Sequence, residues 1–173
     1  MPDFTIRLLQ SSDSLHELTE LLHRSYKRLA DMGFNYTATN QSVEVTRERI
    51  QGNECYVAVA GARIVGTALL ILERLENPAW ANQPGVAYAG QLGVEPEFRH
   101  LGLGARLMQT IEDRARELGY HTIAGDTSEG ADYLIRFYTG RGFERVGFHQ
   151  WRGKTYRSVI LAKPLLNPRA PTK

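Results

Sequence analysis

The sequence predicts a single α/β (α+β) domain built on a mixed, mostly antiparallel sheet flanked by helices. Three observations lead there. Short β-rich runs and longer helical runs follow one another in the order β-α-α-β-β-β-α-β-α-β-β. A strand-helix-strand unit from Val86 to Asp126 calls for two parallel strands joined by a right-handed crossover. Two hairpins, at Ala60-Gly61-Ala62 and at Trp151-Arg152-Gly153-Lys154, require antiparallel neighbours. A length of 173 residues suits one domain, and a domain near that size buries roughly 70% of its unfolded surface. The domain is assigned to residues 1–163, with 164–173 as a C-terminal tail.

The elements follow in order. FTIRLLQ (4–10) reads as the first strand. In the next run Leu15, Leu18, Leu22, Tyr26 and Leu29 fall at helical spacing, and Ser14 with Glu17 form a potential capping box. A loop carrying Phe34 and Tyr36 leads to a shorter helix, SVEVTRERI, that ends near Gly52. The β-rich run 55–73 holds the first hairpin, and RLENPAWANQPG then breaks the pattern with two prolines and an exposed-looking Trp80. VAYAGQLGV is the next strand. After it, Leu107, Met108, Ile111, Ala115 and Leu118 line one face of a helix, with Gly119 suited to follow its C-cap. HTIAGD is a strand and ADYLIRFYTGR a helix, and FERVGFHQ with TYRSVILA closes the chain as a hairpin.

Composition narrows the function classes. With 21 Lys+Arg against 19 Asp+Glu, the net charge of +2 lacks the basic stripe that nucleic acid needs, so no nucleic-acid partner is expected. Cys55 is the only cysteine, which excludes an internal disulfide and a two-cysteine zinc or redox motif. His16 and His23 share a helix but lie two turns apart, too far for an ordinary metal pair, and no metal is expected. The N-terminus lacks a signal-peptide pattern, and no apolar run approaches the roughly 20 residues of a membrane span. A cytoplasmic protein with no membrane partner is the expectation. The final hairpin and an uncovered edge strand allow a homodimer.

The stretch Arg99-His100-Leu101-Gly102-Leu103-Gly104 stands between a strand and a helix. A helix start leaves N–H groups without internal partners, and its dipole favours an anion there. Gly102 and Gly104 remove the Cβ atoms that would hold a diphosphate off the backbone, and Arg99 adds a charge-assisted contact. By itself the pattern is equally that of a structural turn. It is not the Walker pattern, because no Gly-Lys-Ser/Thr follows the second glycine. Nor is it the dinucleotide fingerprint, because Leu107 stands where a third glycine belongs.

LGVEPEFRHLGLGARLM resembles the acetyl-CoA signature of the GNAT superfamily of N-acetyltransferases, Leu-x-Val-x-Pro-x-x-Arg/Gln-x-x-Gly-x-Gly/Ala. Leu92, Val94, Pro96, Arg99, Gly102 and Gly104 occupy its places. A second family feature, Tyr-x-x-x-Gly-Phe, is matched by Tyr138, Gly142 and Phe143, and the element order agrees from about residue 4 to 162. The resemblance implies a splayed parallel strand pair, acetyl-CoA as co-substrate, and direct transfer of its acetyl group to a primary amine within a ternary complex. That amine belongs to a small metabolite, amino acid, antibiotic or protein terminus or lysine. Leu92, Gly93 and Val94 would make backbone contacts to the pantetheine arm, and an N–H near Leu92 would polarise the thioester carbonyl, a contact often worth roughly 3 kcal/mol. Arg99, His100, Leu101, Gly102, Leu103 and Gly104 would grip the diphosphate. Many family members carry an asparagine seven residues before the tyrosine. Here Ala131 takes its place, leaving Asp126, Ser128 or Asp132 to supply that contact.

The proton balance sets the remaining requirements. A lysine-like amine has a pKa of about 10.4, so about one in a thousand is neutral at pH 7. A tyrosine, with a pKa of about 10, keeps its proton there and can hand it to the departing thiolate. Tyr138 is the residue assigned to that role, the competing reading being a helix aromatic packed on the sheet. Glu73, Tyr88 and Asp126 lie near strand ends where a base would stand, and water-mediated deprotonation is the alternative. Phe34, Tyr36, Trp80, Tyr88, His149 and Trp151 come from segments able to wall an acceptor cleft. The competing reading of the whole is a non-catalytic acyl-CoA-binding sensor or interaction module. A longer acyl donor is a further option.

Overall fold

The computed structural model of the chain describes residues 3–72 and 79–165. Its elements come in the predicted order: β1 (Thr5–Leu8), α1 (Leu15–Asp31), α2 (Val43–Ile50), β2 (Glu54–Ala60), β3 (Arg63–Ile71), β4 (Val86–Val94), α3 (Leu103–Glu117), β5 (Thr122–Ser128), α4 (Asp132–Thr139), β6 (Glu144–His149) and β7 (Ser158–Pro164). The strands form a seven-stranded sheet ordered β1-β2-β3-β4-β5-β7-β6. Strands β4 and β5 run parallel, and the other described neighbours are antiparallel. The crossover through α3 makes that parallel pair, as the strand-helix-strand spacing requires.

Side chains alternate across a strand, and this divides the core into two layers. Tyr56, Ala58, Val65, Ala68 and Leu70 of β2 and β3 join a cluster with Leu103, Leu107, Met108 and Ile111 of α3. Cys55, Val57, Ile64 and Leu69 join Leu18 and Leu21 of α1 in a second cluster. Buried on both faces, β3 reads as an almost unbroken apolar run. Cys55 lies with its Sγ 3.5 Å from Thr67 Oγ1, and burial lifts its thiol pKa to about 11.

Half of the predicted capping box forms. Ser14 Oγ accepts the Glu17 N–H at 3.2 Å, but the Glu17 carboxylate accepts the Ile64 N–H of β3 at 2.7 Å. A backbone donor on β3 outcompetes the helix's own end, and α1 is thereby tied to the sheet. The tail beyond β7 begins packed: Leu165 is buried and its N–H donates to His121 O at 2.8 Å. Residues 166–173 lie outside the described residues. No helix among the described residues is long and apolar enough to cross a membrane.

Glu95, 2% exposed, ends β4 with an ion-pair clamp. Arg24 of α1 donates to its carboxylate through Nη2 at 2.5 Å and Nε at 2.9 Å, and Arg63 lies at 3.2 Å. The clamp fixes the direction in which the chain leaves the sheet. Glu95→Ala should cost about 1–3 kcal/mol, since the half-exposed arginines regain water while their charge-assisted bonds are lost. Urea unfolding measures it, and a variant as stable as the parent would show that these ion pairs do not hold the strand exit.

Candidate active site

Strands β4 and β5 pair only over Val86↔Thr122, Ala87↔Ile123 and Tyr88↔Ala124. Beyond Tyr88, β4 stays with β3 while β5 follows β7 to Ser128, so the two part. The parting coincides with a bulge, because Gln91 and Leu92 fall between the pairs Leu69↔Gly90 and Thr67↔Gly93. Gln91 adopts φ +47°, a left-handed conformation costly for a residue with a side chain. Its buried amide offsets that cost: Gln91 Oε1 accepts from Gln41 Nε2 at 3.0 Å, and Gln41 Oε1 accepts from Arg49 Nη1 at 2.9 Å. At Gly93 the strand passes close to α1, since a Cβ there would stand 2.5 Å from Ser25 Oγ and 3.3 Å from Ser25 Cβ.

The glycine-spaced turn continues from the end of β4. After a 3-10 turn at Pro96–Phe98, His100 and Gly102 take φ of +68° and +74°. Left-handed residues in such a turn bring consecutive N–H groups towards one concavity. None of the amides from His100 to Ala105 has a hydrogen-bond acceptor among the described residues, and the first satisfied one is Arg106 N, on Gly102 O at 3.0 Å. A Cβ on Gly104 would meet Val94 and Phe137 only at ordinary contact distances of 3.7 and 3.8 Å. The protein's own packing therefore does not demand that glycine. Leu103 anchors the turn in the core, while His100, Leu101 and Gly102 are exposed. Arg99 Nη2 donates to Ser25 O at 2.7 Å, so this guanidinium also ties the turn to α1. Leu92 and Val94 are half-buried and Gly93 buried at the neighbouring strand end.

A cavity of about 570 Å³ opens on the parted strands, lined by Tyr88, Gly90 and Gln91 of β4 and by Asp126 of β5. Asp126 accepts from Tyr88 Oη at 2.6 Å and from Trp151 Nε1 at 2.9 Å. Tyr88 is thus a donor to the carboxylate, and burial together with the Asp126 charge pushes its pKa up, which removes it as a base near neutral pH. Glu73, the other carboxylate singled out from the sequence, lies outside the described residues.

Of the expected cleft aromatics, Tyr36, Tyr88 and Trp151 line the cavity. Phe34 packs edge-on to Tyr156, His149 packs on Trp151, and Trp80 covers a small cluster of Tyr88, Ala124 and Ala162 rather than standing exposed. The sequence reading missed Tyr26, Arg49, Lys154 and Tyr156, which also line the cavity. Tyr36 holds the far wall, its ring stacked on Tyr156 at 4.7 Å and its hydroxyl bonded to Thr127 Oγ1 and Ser128 N. The only signal for Tyr26 was its helical phase, which also fitted a core position.

Tyr138 is half-buried on α4, its ring edge-on to Phe137 and Phe143, and its hydroxyl has no hydrogen-bond partner among the described residues. Burial raises its pKa, reinforced by the nearby Tyr36 and Asp126. Ala131, at the N-cap of α4, is fully buried and offers no polar side chain. Ser128 Oγ accepts from Gly130 N at 3.2 Å.

Tyr26, Tyr36, Tyr88, Tyr138 and Tyr156 all have raised pKa values, burial being the leading cause; Tyr36 reaches about 12. As pH climbs past about 10, the unfolded chain sheds tyrosine protons that the folded chain keeps. Their contribution is full below that pH and is lost towards and beyond 12. Tyrosinate absorbance should therefore rise in a cooperative step together with loss of circular dichroism. A smooth titration of all eight tyrosines near pH 10 without unfolding would contradict this.

The chain belongs to the acetyltransferase (GNAT) family, whose profile matches residues 15–143. No curated protein matches it significantly. Solved structures resemble it throughout. The ribosomal-protein-S18-alanine N-acetyltransferase of Escherichia coli is 14% identical with a TM-score of 0.72, covering 98% of this chain and 100% of its own. A GNAT family acetyltransferase from Elizabethkingia anophelis with acetyl-CoA bound is 15% identical, with a TM-score of 0.70 over 95% of this chain and 100% of its own. A probable acetyltransferase from Staphylococcus epidermidis is 18% identical, with a TM-score of 0.73 over the same shares. At these identities the likeness is one of fold.

Proposed function

We propose that the protein transfers an acetyl group from acetyl-CoA to a primary amine by direct attack in a ternary complex. The observation that carries this reading is the run of unpartnered amides from His100 to Ala105, set at a helix start beside the parted strands. Free N–H groups on a left-handed turn, with no Cβ at Gly102 or Gly104, fit a diphosphate. Leu92, Gly93 and Val94 offer backbone to an extended arm where β5 has withdrawn. Bound there, acetyl-CoA supplies an activated thioester.

The chain's own groups then manage position and protons. Asp126 draws an ammonium group to the cavity, where Tyr88 and Trp151 fix the carboxylate. Water in the open cavity takes the ammonium's proton before the amine attacks. Tyr138 keeps its proton at neutral pH, gives it to the thiolate as the C–S bond breaks, and regains one through water from the nitrogen that has become the amide. A bulged backbone at Leu92 holds the thioester carbonyl.

Two measurements test the reading. Calorimetry should register acetyl-CoA binding that Gly102→Val abolishes, because a β-branched residue resists φ +74° and crowds the amides. Thiol release across a panel of amines should fall about a hundredfold or more in Tyr138→Phe while acetyl-CoA binding persists. Binding without thiol release from any amine would instead make the protein an acyl-CoA sensor.

A further inference from the structure

Most partly buried cations among the described residues meet a carboxylate. Arg7 pairs with Asp13, Arg114 with Glu54, Arg116 with Asp113, and Arg141 and Lys163 with Glu112. Two that line the cavity do not. Arg49 donates through Nη1 to the neutral Gln41 Oε1, and Lys154 donates to Asn35 O at 2.9 Å and Thr37 Oγ1 at 3.0 Å. Neither has a carboxylate within ion-pair distance among the described residues.

Burying a cation without a counter-charge is costly. Burial lowers the pKa of both groups and Arg49 lowers that of Lys154 further, while Asp126 across the cavity offsets this only in part. Each is nevertheless held in place. Arg49 is braced through Gln41 to the bulge at Gln91, and Lys154 sits in a loop clamped by Asn35 to Gly153 O at 2.9 Å and to Thr155 N at 2.8 Å. Donors held in position and lacking an anion mark an anion subsite.

The cavity's charges divide accordingly. Arg49, Arg152 and Lys154 face it with Glu48 and Asp126, and Asp126 alone stands on the parted strands. An ammonium drawn to Asp126 leaves the cations in excess. On the acetyl-transfer reading, we infer that the acceptor is an amine bearing an anionic tail, a carboxylate or phosphate, with Arg49 and Lys154 gripping the tail while Asp126 receives the amine. Tyr26, Tyr36 and Tyr156 would flank the segment between them, and about 570 Å³ lies in the usual range for a small-molecule site.

The test compares matched acceptors: each common amino acid against the amine left by its decarboxylation, and phosphoethanolamine against ethanolamine. The readout is the ratio of kcat/KM within each pair. In the wild type the best anionic acceptor should exceed its uncharged-tail partner by roughly tenfold or more, as expected for a charge-assisted contact. Arg49→Gln and Lys154→Met should each shrink that ratio, and Arg49→Lys should restore part of it. The phosphoethanolamine pair tells phosphate from carboxylate. Neutral-tailed amines equal to or better than their partners in the wild type, or a ratio untouched by both Arg49→Gln and Lys154→Met, would overturn the inference and leave acetyl transfer standing. If no amine releases thiol although acetyl-CoA binds, the transfer reading fails. Calorimetry of the N-acetylated amino acids and N-acetylated amines with CoA-loaded protein then decides the subsite. A preference for the carboxylates that Arg49→Gln abolishes supports it, and no preference overturns it.

Discussion

The separation of β4 from β5 after Tyr88↔Ala124 is the constraint on which the site depends. Each strand keeps its antiparallel neighbour, so the sheet loses few ladder bonds where it opens. The gap exposes the backbone of one strand and the carboxylate of the other, Asp126, to a shared cavity. The same β4 then runs directly into the turn whose amides are free. A continuous parallel pair would have closed the cavity and satisfied those strand groups internally.

Holding the gap open has a conformational cost at Gln91, and its side chain answers it through Gln41, Thr46 and Arg49. This buried polar chain joins the bulge to α2. Gln41 uses both ends of its amide, donating to Gln91 and Thr46 and accepting from Arg49, so the network has little freedom to rearrange. On the other side of the bulge, Gly93 admits Ser25 and Glu95 locks the strand exit to Arg24. The site's geometry is therefore set by α1 and α2 as much as by the sheet.

The fold was largely legible in the sequence because its determinants are local. Glycine at Gly61 allows the φ of +61° that turns the first hairpin, Gly119 ends α3 at φ +88°, and the apolar face of α3 follows helical spacing. The glycine-spaced turn was equally legible, since a helix start and its amides belong to adjacent residues. What stayed hidden is contact between distant segments. Nothing adjacent to Glu17 announces Ile64 N, and nothing near Arg49 announces that it will face Lys154 across a cavity. Trp80 looked exposed because its loop is polar, yet it covers Tyr88 and Ala124, contacts that exist only after β4 and β5 assemble.

Cys55 adds a practical consequence. Its sulfur is sealed between β3 and α1, and at a pKa of about 11 it is almost wholly protonated near neutrality. A disulfide reagent added to the native enzyme thus meets coenzyme product before it meets protein, with no self-labelling to subtract. Once the sheet opens, that same sulfur reacts, making modification of one side chain a clock for global unfolding.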